Sequence, residues 1–325
     1  MTRMTMQEAI VAAIAQEMRR DPRVFIMGLD IGPFGGPLNS CKGLWDEFGA
    51  SGRVIDTPIS EGAIVGAGVG AALAGKRPIV DIMFCEFLPL VIQQLGCDGG
   101  AMHYYSGGAA RVPLVVRGKY GVGPFHGHAY DHHAWLMHTP GVKIVVPATA
   151  LDAKGLMTAA IRDDNPVFFM EHMALYHGQR DAIPDGDFVI PLGRAELKRR
   201  GRDATVIASA AMVRKALAAA QKLATEGLDV EVVDLRTIVP LDEATILESA
   251  QRTGRALVVQ ETIRTGGSTA EIAALVGTHC WRELKAPVAR LGAEVVPMPF
   301  ARSLEQAAIP DEAAIGNAVR ELMRA

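Results

Sequence analysis

Short, mostly apolar runs alternating with segments of helical period leave this 325-residue chain few folds to choose from. Val24-Phe25-Ile26-Met27-Gly28, Ile79 to Met83, Val112 to Val116, Val142 to Val146 and Val167 to Met170 lack the alternation of a half-solvated strand. A strand that is apolar on both faces is covered on both faces, as in a parallel sheet with helices packed on either side. Helical segments fall between the runs. Ile10, Ala13, Ile14 and Met18 recur at helical spacing, and Leu44 to Phe48 reads as a short helix ahead of a strand at Arg53 to Ile55. Gly62 to Ala74 is a helix stopped by Gly75-Lys76-Arg77-Pro78, Phe87 to Tyr105 one that ends at Ser106-Gly107-Gly108, and Ala150 to Arg162 another.

The same alternation restarts after a stretch of different composition. Gly178-Gln179-Arg180, Pro184-Asp185-Gly186 and the basic run Lys198-Arg199-Arg200-Gly201-Arg202 read as an exposed crossover, the basic run as a solvated face. Strands are then expected at Ala204 to Ala208, Val230 to Asp234, Ala256 to Gln260 and Val288 to Leu291. Helices are expected at Val213 to Glu226, Glu243 to Arg252, around Ala270 to Val276 and at Glu312 to Met323. The reading is an α/β chain of two domains, 1–185 and 203–325, joined by a linker over 186–202, each with a mainly parallel sheet flanked by helices.

Composition closes off several classes of function. A net charge of −3 gives no reason to expect nucleic acid or an anionic membrane as partner. Cys41, Cys85, Cys97 and Cys280 are scattered without CxxC spacing, which argues against a zinc site or a disulfide framework and suits a reducing, cytoplasmic setting. The first twenty residues lack a signal-peptide pattern, and no apolar run approaches the roughly 18 residues of a membrane span.

The residues that could carry chemistry cluster in two places. Asp56-Thr57-Pro58-Ile59-Ser60-Glu61 sets a carboxylate just ahead of a glycine-spaced apolar helix, with no Lys or Arg beside it in sequence. A carboxyl group in apolar surroundings tends to hold its proton and to share it with a nitrogen base. The same glutamate also fits a plain helix N-terminal position favoured by the helix dipole. Gly62, Gly66, Gly68 and Gly70 each cost a helix roughly 1 kcal/mol relative to alanine, and close packing of a second helix, usually across a subunit interface, is one way to offset that; tight packing within the chain's own domain is the other. The second cluster is histidine-rich: His126, His128, His132, His133 and His138. Without a set of carboxylates or cysteines beyond Asp131, these residues fit acid–base or oxyanion roles better than a transition-metal site, with His132, His133 and His138 more simply structural. No GxxxxGK[ST] and no GxGxxG after a strand is present, so a phosphorylated cofactor would be gripped by another chain.

Several motifs in order resemble one family. Asp56-Thr57-Pro58-Ile59-x-Glu61, Tyr104-x-Ser106-Gly107-Gly108, Val112-Pro113-x-Val115-x-Arg117-Gly118, His138-x-Pro140-Gly141-x-Lys143, Asp152-Ala153-Lys154-Gly155-Leu156, Arg162-Asp163-x-Asn165-Pro166, Asp234-Leu235-Arg236-Thr237 and Ala270-Glu271-Ile272-Ala273-Ala274 look like the β subunit of the decarboxylating component of 2-oxoacid dehydrogenases. Pyruvate, branched-chain 2-oxoacid and acetoin dehydrogenases share this subunit type. The resemblance implies two transketolase-like domains, with thiamine diphosphate bound between two polypeptides. The partner α subunit, in an α2β2 heterotetramer, would hold the diphosphate and Mg2+. Glu61 matches the glutamate that hydrogen-bonds the aminopyrimidine and promotes its imino tautomer; by position Ile59, Met83 and Phe87 line that ring. His128, counted back from His138, matches the family's active-site histidine, expected to help form the acyl group and pass it to a lipoyl group. Leu114, Ala160, Ile161, Asp163 and Asn165 match a structural potassium site, although Asp163-Asp164-Asn165-Pro166 alone reads as a helix-ending turn. A 2-oxo substrate and a lipoyl acyltransferase core complete the implied partners, and the second domain would serve assembly and core docking.

The departures fall at the substrate. Gln-His-Ser-Gln is usual around the histidine, where this chain has Gly127-His128-Ala129-Tyr130, and the helix usually reading Asp-Gln-x-x-Asn has Gln93-Gln94-Leu95-Gly96-Cys97. They motivate an alternative: a split transketolase-like or synthase subunit that keeps the cofactor and moves its acyl or two-carbon unit to a non-lipoyl acceptor.

Overall fold

Two compact units make up the chain in a computed structural model that describes residues 1–124 and 127–325. The first comprises Met1–Tyr120 and Asp131–Leu192, the second Gly121–Tyr130 and Gly193–Ala325.

In the first unit, parallel strands lie in the order Lys143–Val145, Val167–His172, Val115–Tyr120, Arg77–Phe84, Val24–Gly28, Val54–Asp56. Chain order reverses about Val24–Gly28: the next strand lies on one side of it and Arg77–Phe84 on the other. In open α/β sheets such a reversal opens a ligand crevice at the carboxyl ends of the strands. All residues of Val115–Tyr120 and Val167–His172 are buried, as only strands covered on both faces can be. Helix Met6–Arg20 starts at a reciprocal cap, in which Thr5 Oγ1 accepts from Glu8 N and Glu8 Oε2 accepts from Thr5 N. It packs on helix Ala150–Arg162, and the buried Glu17 carboxylate joins them by accepting from Arg162 at 2.7 and 2.9 Å.

In the second unit the order is Ala289–Ala293, Ala256–Ile263, Ala204–Ala208, Val230–Asp234, Glu196–Arg199, parallel except for the last strand. That antiparallel edge falls inside the segment read from sequence as a linker, and residues 186–192 go with the first unit. The basic run is locally paired: Lys198 with Glu196, and Arg199 and Arg202 each with Asp229 at 3.1 Å.

Two sequence expectations change. The helix read over Phe87 to Tyr105 is broken into a 3-10 turn Cys85–Leu90, a wide π-type segment Gln93–Gly100 and a last short turn Met102–Tyr105. Pro89 removes a donor inside the first turn. Gly96 and Gly100 are pressed against Thr139 and the Pro140 carbonyl, so this stretch follows its contacts rather than helical propensity. The strand expected at Val112 to Val116 instead runs Val115–Tyr120, taking in Arg117 and Lys119, and Val167–His172 likewise takes in Glu171. Charged residues that fell beyond the strands read from sequence are here buried strand interior.

Candidate functional site

The Asp56–Glu61 segment is placed by the strand end before it. Thr57 N donates to Gly28 O at 3.0 Å, and the Asp56 carboxylate accepts the Gly32 N–H at 2.8 Å. A Cβ at Gly32 would lie 2.5 Å from that carboxylate, so the loop tolerates no side chain there. Glu61 then opens the helix Glu61–Leu73, which has no side-chain cap from Ser60. Glu61 is half-buried, and among the described residues nothing donates a hydrogen bond to its carboxylate. Ile59, two residues earlier, is 76% exposed although apolar.

The helix start lies against the turn that carries Phe87: a Cβ at Gly62 would be 3.4 Å from Leu90 O and 3.8 Å from the Gln94 amide. Phe87 is half-buried, edge-on to Phe84. Met83 is half-buried and sits at φ 67, a left-handed conformation that costs a side-chain-bearing residue roughly 1–3 kcal/mol and is enriched at functional sites. Glu61, Phe87 and Met83 thus occupy one part of the first unit, with Thr57 Oγ1 and Gln94 Oε1 buried and without a hydrogen-bond partner in the same part of the chain. An unpartnered carboxylate, an exposed apolar side chain and unsatisfied buried acceptors fit a flat heterocycle with polar edges.

The glycine helix has two faces. Gly68 backs onto its own domain, where a Cβ would lie 2.8 Å from Val80 Cγ2. Ala63, Ala67, Gly70 and Leu73 are exposed, with nothing within 4 Å of a Cβ at Gly70. Gly68 thus follows the reading of tight packing within the chain's own domain, while the Gly70 face is bare.

Sequence reasoning missed a buried charge network inside the parallel strands. Lys119 Nζ donates to both oxygens of Asp81 at 2.8 and 2.7 Å. Arg117 donates to Glu171 at 2.6 and 2.9 Å and to Tyr176 Oη at 3.2 Å, while Tyr176 Oη donates to Glu171 at 2.7 Å. Arg117, Lys119 and Glu171 are fully buried and Asp81 nearly so. Burial alone would raise the Asp81 carboxyl; Lys119 and Arg117 override it and hold it below its ordinary value. The Cys41 thiol, buried beside this network, is pushed up to about 11 by burial. The signal was present in sequence as charges of opposite sign set into apolar strand runs, which structural reasoning should read as pairs.

The histidines divide between the units. His128 and its loop Gly121–Tyr130 belong to the second, where Val122 N donates to Glu261 at 2.6 Å and Gly127, at φ 94, lies so close to Phe300 that no Cβ fits. His126 lies outside the described residues. His133, in the first unit, is buried and pairs through Nδ1 with Asp131 at 2.7 Å. Burial works against its charge, but the Asp131 carboxylate carries it above its usual value; Asp131, which burial would raise, is held low by His133. His132 packs on Trp135 and His138 is exposed. Among the described residues, these histidines join no group of three converging ligand atoms.

The five residues matched to a potassium site do gather at the end of helix Ala150–Arg162, but with cations already present. Arg77 donates to Ile161 O at 2.9 Å, to Asp163 O at 2.6 Å and to Asp164 Oδ1 at 3.0 Å. Lys143 pairs with the Asp163 carboxylate, which also accepts from Asn165 N at 2.9 Å. Leu114 O accepts from Val167 N and Ala160 O from Asp163 N. Elsewhere in the first unit, a groove of about 790 Å³ beside helix Met6–Arg20 contains none of the expected site residues; of its charges, Arg19 pairs with Glu47 and Arg180 with Glu8.

A family model described as the transketolase pyrimidine binding domain matches residues 2–179, and one described as the transketolase C-terminal domain matches residues 193–315. The chain is 41% identical over 326 residues to the 2-oxoisovalerate dehydrogenase subunit beta of Bacillus subtilis (strain 168), covering 99% of both. It is 42% identical over 325 residues to the pyruvate dehydrogenase E1 component subunit beta of Rhizobium meliloti (strain 1021), covering 98% of this chain and 70% of that one. A solved structure described as a split gene transketolase, inactive beta4 tetramer, superimposes with a TM-score of 0.80 at 20% identity, covering 99% of each chain. At that identity it speaks for the fold.

Proposed function

The chain belongs to the β-subunit (E1β) family of thiamine-dependent 2-oxoacid dehydrogenases, and from that premise we propose how its own residues serve the reaction. It is the β half of an enzyme that decarboxylates a 2-oxoacid and is active only with an α subunit. The split transketolase alternative is not favoured, because that likeness is at 20% identity whereas the E1 β subunits match at about 40% over nearly the whole chain.

Thiamine diphosphate, when bound, supplies the electron sink for decarboxylation. The Glu61 carboxylate holds and moves a proton at the aminopyrimidine edge, Ile59, Met83 and Phe87 pack on the ring, and the α subunit clasps the diphosphate and magnesium. The observation that carries this is the unpartnered Glu61 carboxylate on the first turn of a helix whose outer face is bare and small. His128 acts on the acyl group on its way to a lipoyl carrier, and assembly is α2β2. No helix among the described residues is long and apolar enough to cross a membrane; free cysteines throughout support a cytoplasmic placement.

A potassium ion, if held, uses the second lone pairs of the Leu114, Ala160 and Ile161 carbonyls beside Arg77 and shares the Asp163–Asn165 turn. Equal melting temperatures in potassium and choline chloride at one ionic strength would remove it. The function itself is tested by co-expression with an α-type subunit: decarboxylation of a 2-oxoacid by the pair, dependent on thiamine diphosphate and magnesium, is expected. Activity of this chain alone, or of the pair only on ketose phosphates, would overturn it.

A further inference from the structure

The strand Arg77–Phe84 does not run straight to its end. Across the ladder Asp81 faces Arg117 and Phe84 faces Lys119, so Ile82 and Met83 together stand opposite Gly118. This is a bulge, which bends a strand and re-aims a side chain, and it places Met83 at φ 67. Two side chains hold it there. Asp81 Oδ1 accepts the Met83 N–H at 2.8 Å, and Lys119 Nζ sits on both oxygens of the same carboxylate at 2.8 and 2.7 Å. Lys119 is the residue at which the register resumes, so the ion pair closes over the bulge. Ser40 Oγ steadies the carboxylate from the other side at 3.3 Å.

A buried ion pair is a poor stabiliser, since apolar residues of similar volume commonly do as well. What an apolar pair does not supply is an acceptor for the Met83 N–H. Gly118 points the same way: a Cβ there would lie 3.1 Å from both Cys85 N and Sγ, so the neighbouring strand is stripped where the turn Cys85–Leu90 departs. Bulge, left-handed backbone, charge pair and glycine all fix one thing, the direction in which the chain leaves the strand toward Phe87.

We propose that Asp81 and Lys119 are positioning residues for the cofactor-facing wall, clamping the Met83 backbone in its left-handed conformation and thereby placing Met83 and Phe87 against the aminopyrimidine. This rests on the reading of the site given above. Neither side chain touches the cofactor; both act through the Met83 N–H.

The test uses the full chain assembled with its α subunit and the double variant Asp81→Leu/Lys119→Met. Removing both charges together leaves Arg117 paired with Glu171, so no buried charge is stranded. Expected are retained cooperative melting, amide exchange over residues 82–90 faster by about tenfold with no change at Val24–Gly28, and calorimetric thiamine diphosphate affinity weaker by about tenfold while kcat at saturating cofactor changes little. The variant Asp81→Asn/Lys119→Met restores a neutral acceptor and should return both exchange and affinity toward the wild type. A folded Leu/Met variant with wild-type exchange and affinity overturns the proposal, as does an Asn/Met variant that folds without recovering either. An unmodified assembly that binds no thiamine diphosphate overturns instead the reading of the site; the exchange response then reports on the Met83 clamp alone.

Discussion

Two buried charge sites in this chain, one in each sheet, treat charge in opposite ways. In the first unit Asp81, Arg117, Lys119 and Glu171 are sealed inside parallel strands, with at most 2% exposure. In the second, Glu231 is the fully buried acid of the strand Val230–Asp234 that pairs with an arginine, Arg252, whose side chain is 34% exposed; Thr205 adds a hydroxyl at 3.3 Å. The Glu231–Arg252 pair opens to water, whereas the pairs of the first sheet are confined. Confined pairs add little net stability but make removal of one partner costly, so the first unit trades tolerance for a fixed backbone beneath its site.

The largest effect expected is chemical. Glu61→Gln should lower turnover of the assembled enzyme by at least about a hundredfold, the range of a lost acid–base group, with cofactor-independent melting unchanged. Near-normal turnover would break the assigned role. Next comes stability: Arg117→Met strands the Glu171 carboxylate and should cost about 3–5 kcal/mol in urea unfolding. Glu231→Gln in the second unit should cost only about 1 kcal/mol, because Arg252 can turn to solvent. Similar losses at the two sites would erase the contrast.

A smaller, pH-dependent term sits in the Asp131–His133 pair. His133 is raised, so its contribution is complete below its ordinary value of about 6.5 and is lost as pH rises through the raised one. Asp131 is lowered, so its share is present above about 3.9 and lost as pH falls through the lowered value. The melting gap between wild type and His133→Asn should therefore be wider near pH 6 than near pH 9; a gap independent of pH contradicts the pairing. Last are the two faces of the glycine helix. Gly68→Ala should destabilise the chain by about 1–3 kcal/mol through overpacking. Gly70→Ala should stabilise it by up to about 1 kcal/mol while weakening assembly with the partner. A neutral Gly70→Ala in assembly would leave that face without a role.

Much of the fold was legible because parallel strands announce themselves: Val24–Gly28, Ala204–Ala208, Val230–Asp234 and the short helix Leu44–Phe48 lie where the apolar pattern puts them. The pattern failed where tertiary contacts overrode local preference. Arg117, Lys119 and Glu171 lay beyond the strands read from the apolar runs because a charge usually seeks water, and nothing in a local window shows the partner waiting on the next strand. The break at Cys85–Leu90 and Gln93–Gly100 followed from neighbours at Thr139 and Pro140, distant in sequence. Of the site, Glu61 stood out by motif, Phe87 only by resemblance, and the left-handed Met83 by no sequence signal, since methionine has no preference for that conformation.

The most direct measurement is a calorimetric titration of thiamine diphosphate with magnesium into this chain, into an α subunit and into the two assembled. Saturable binding by the assembly, with at most weak binding by either chain alone, is the result predicted for a cofactor gripped at its ring by one polypeptide and at its phosphates by another. Tight binding by this chain alone, or none by any assembly, would contradict it.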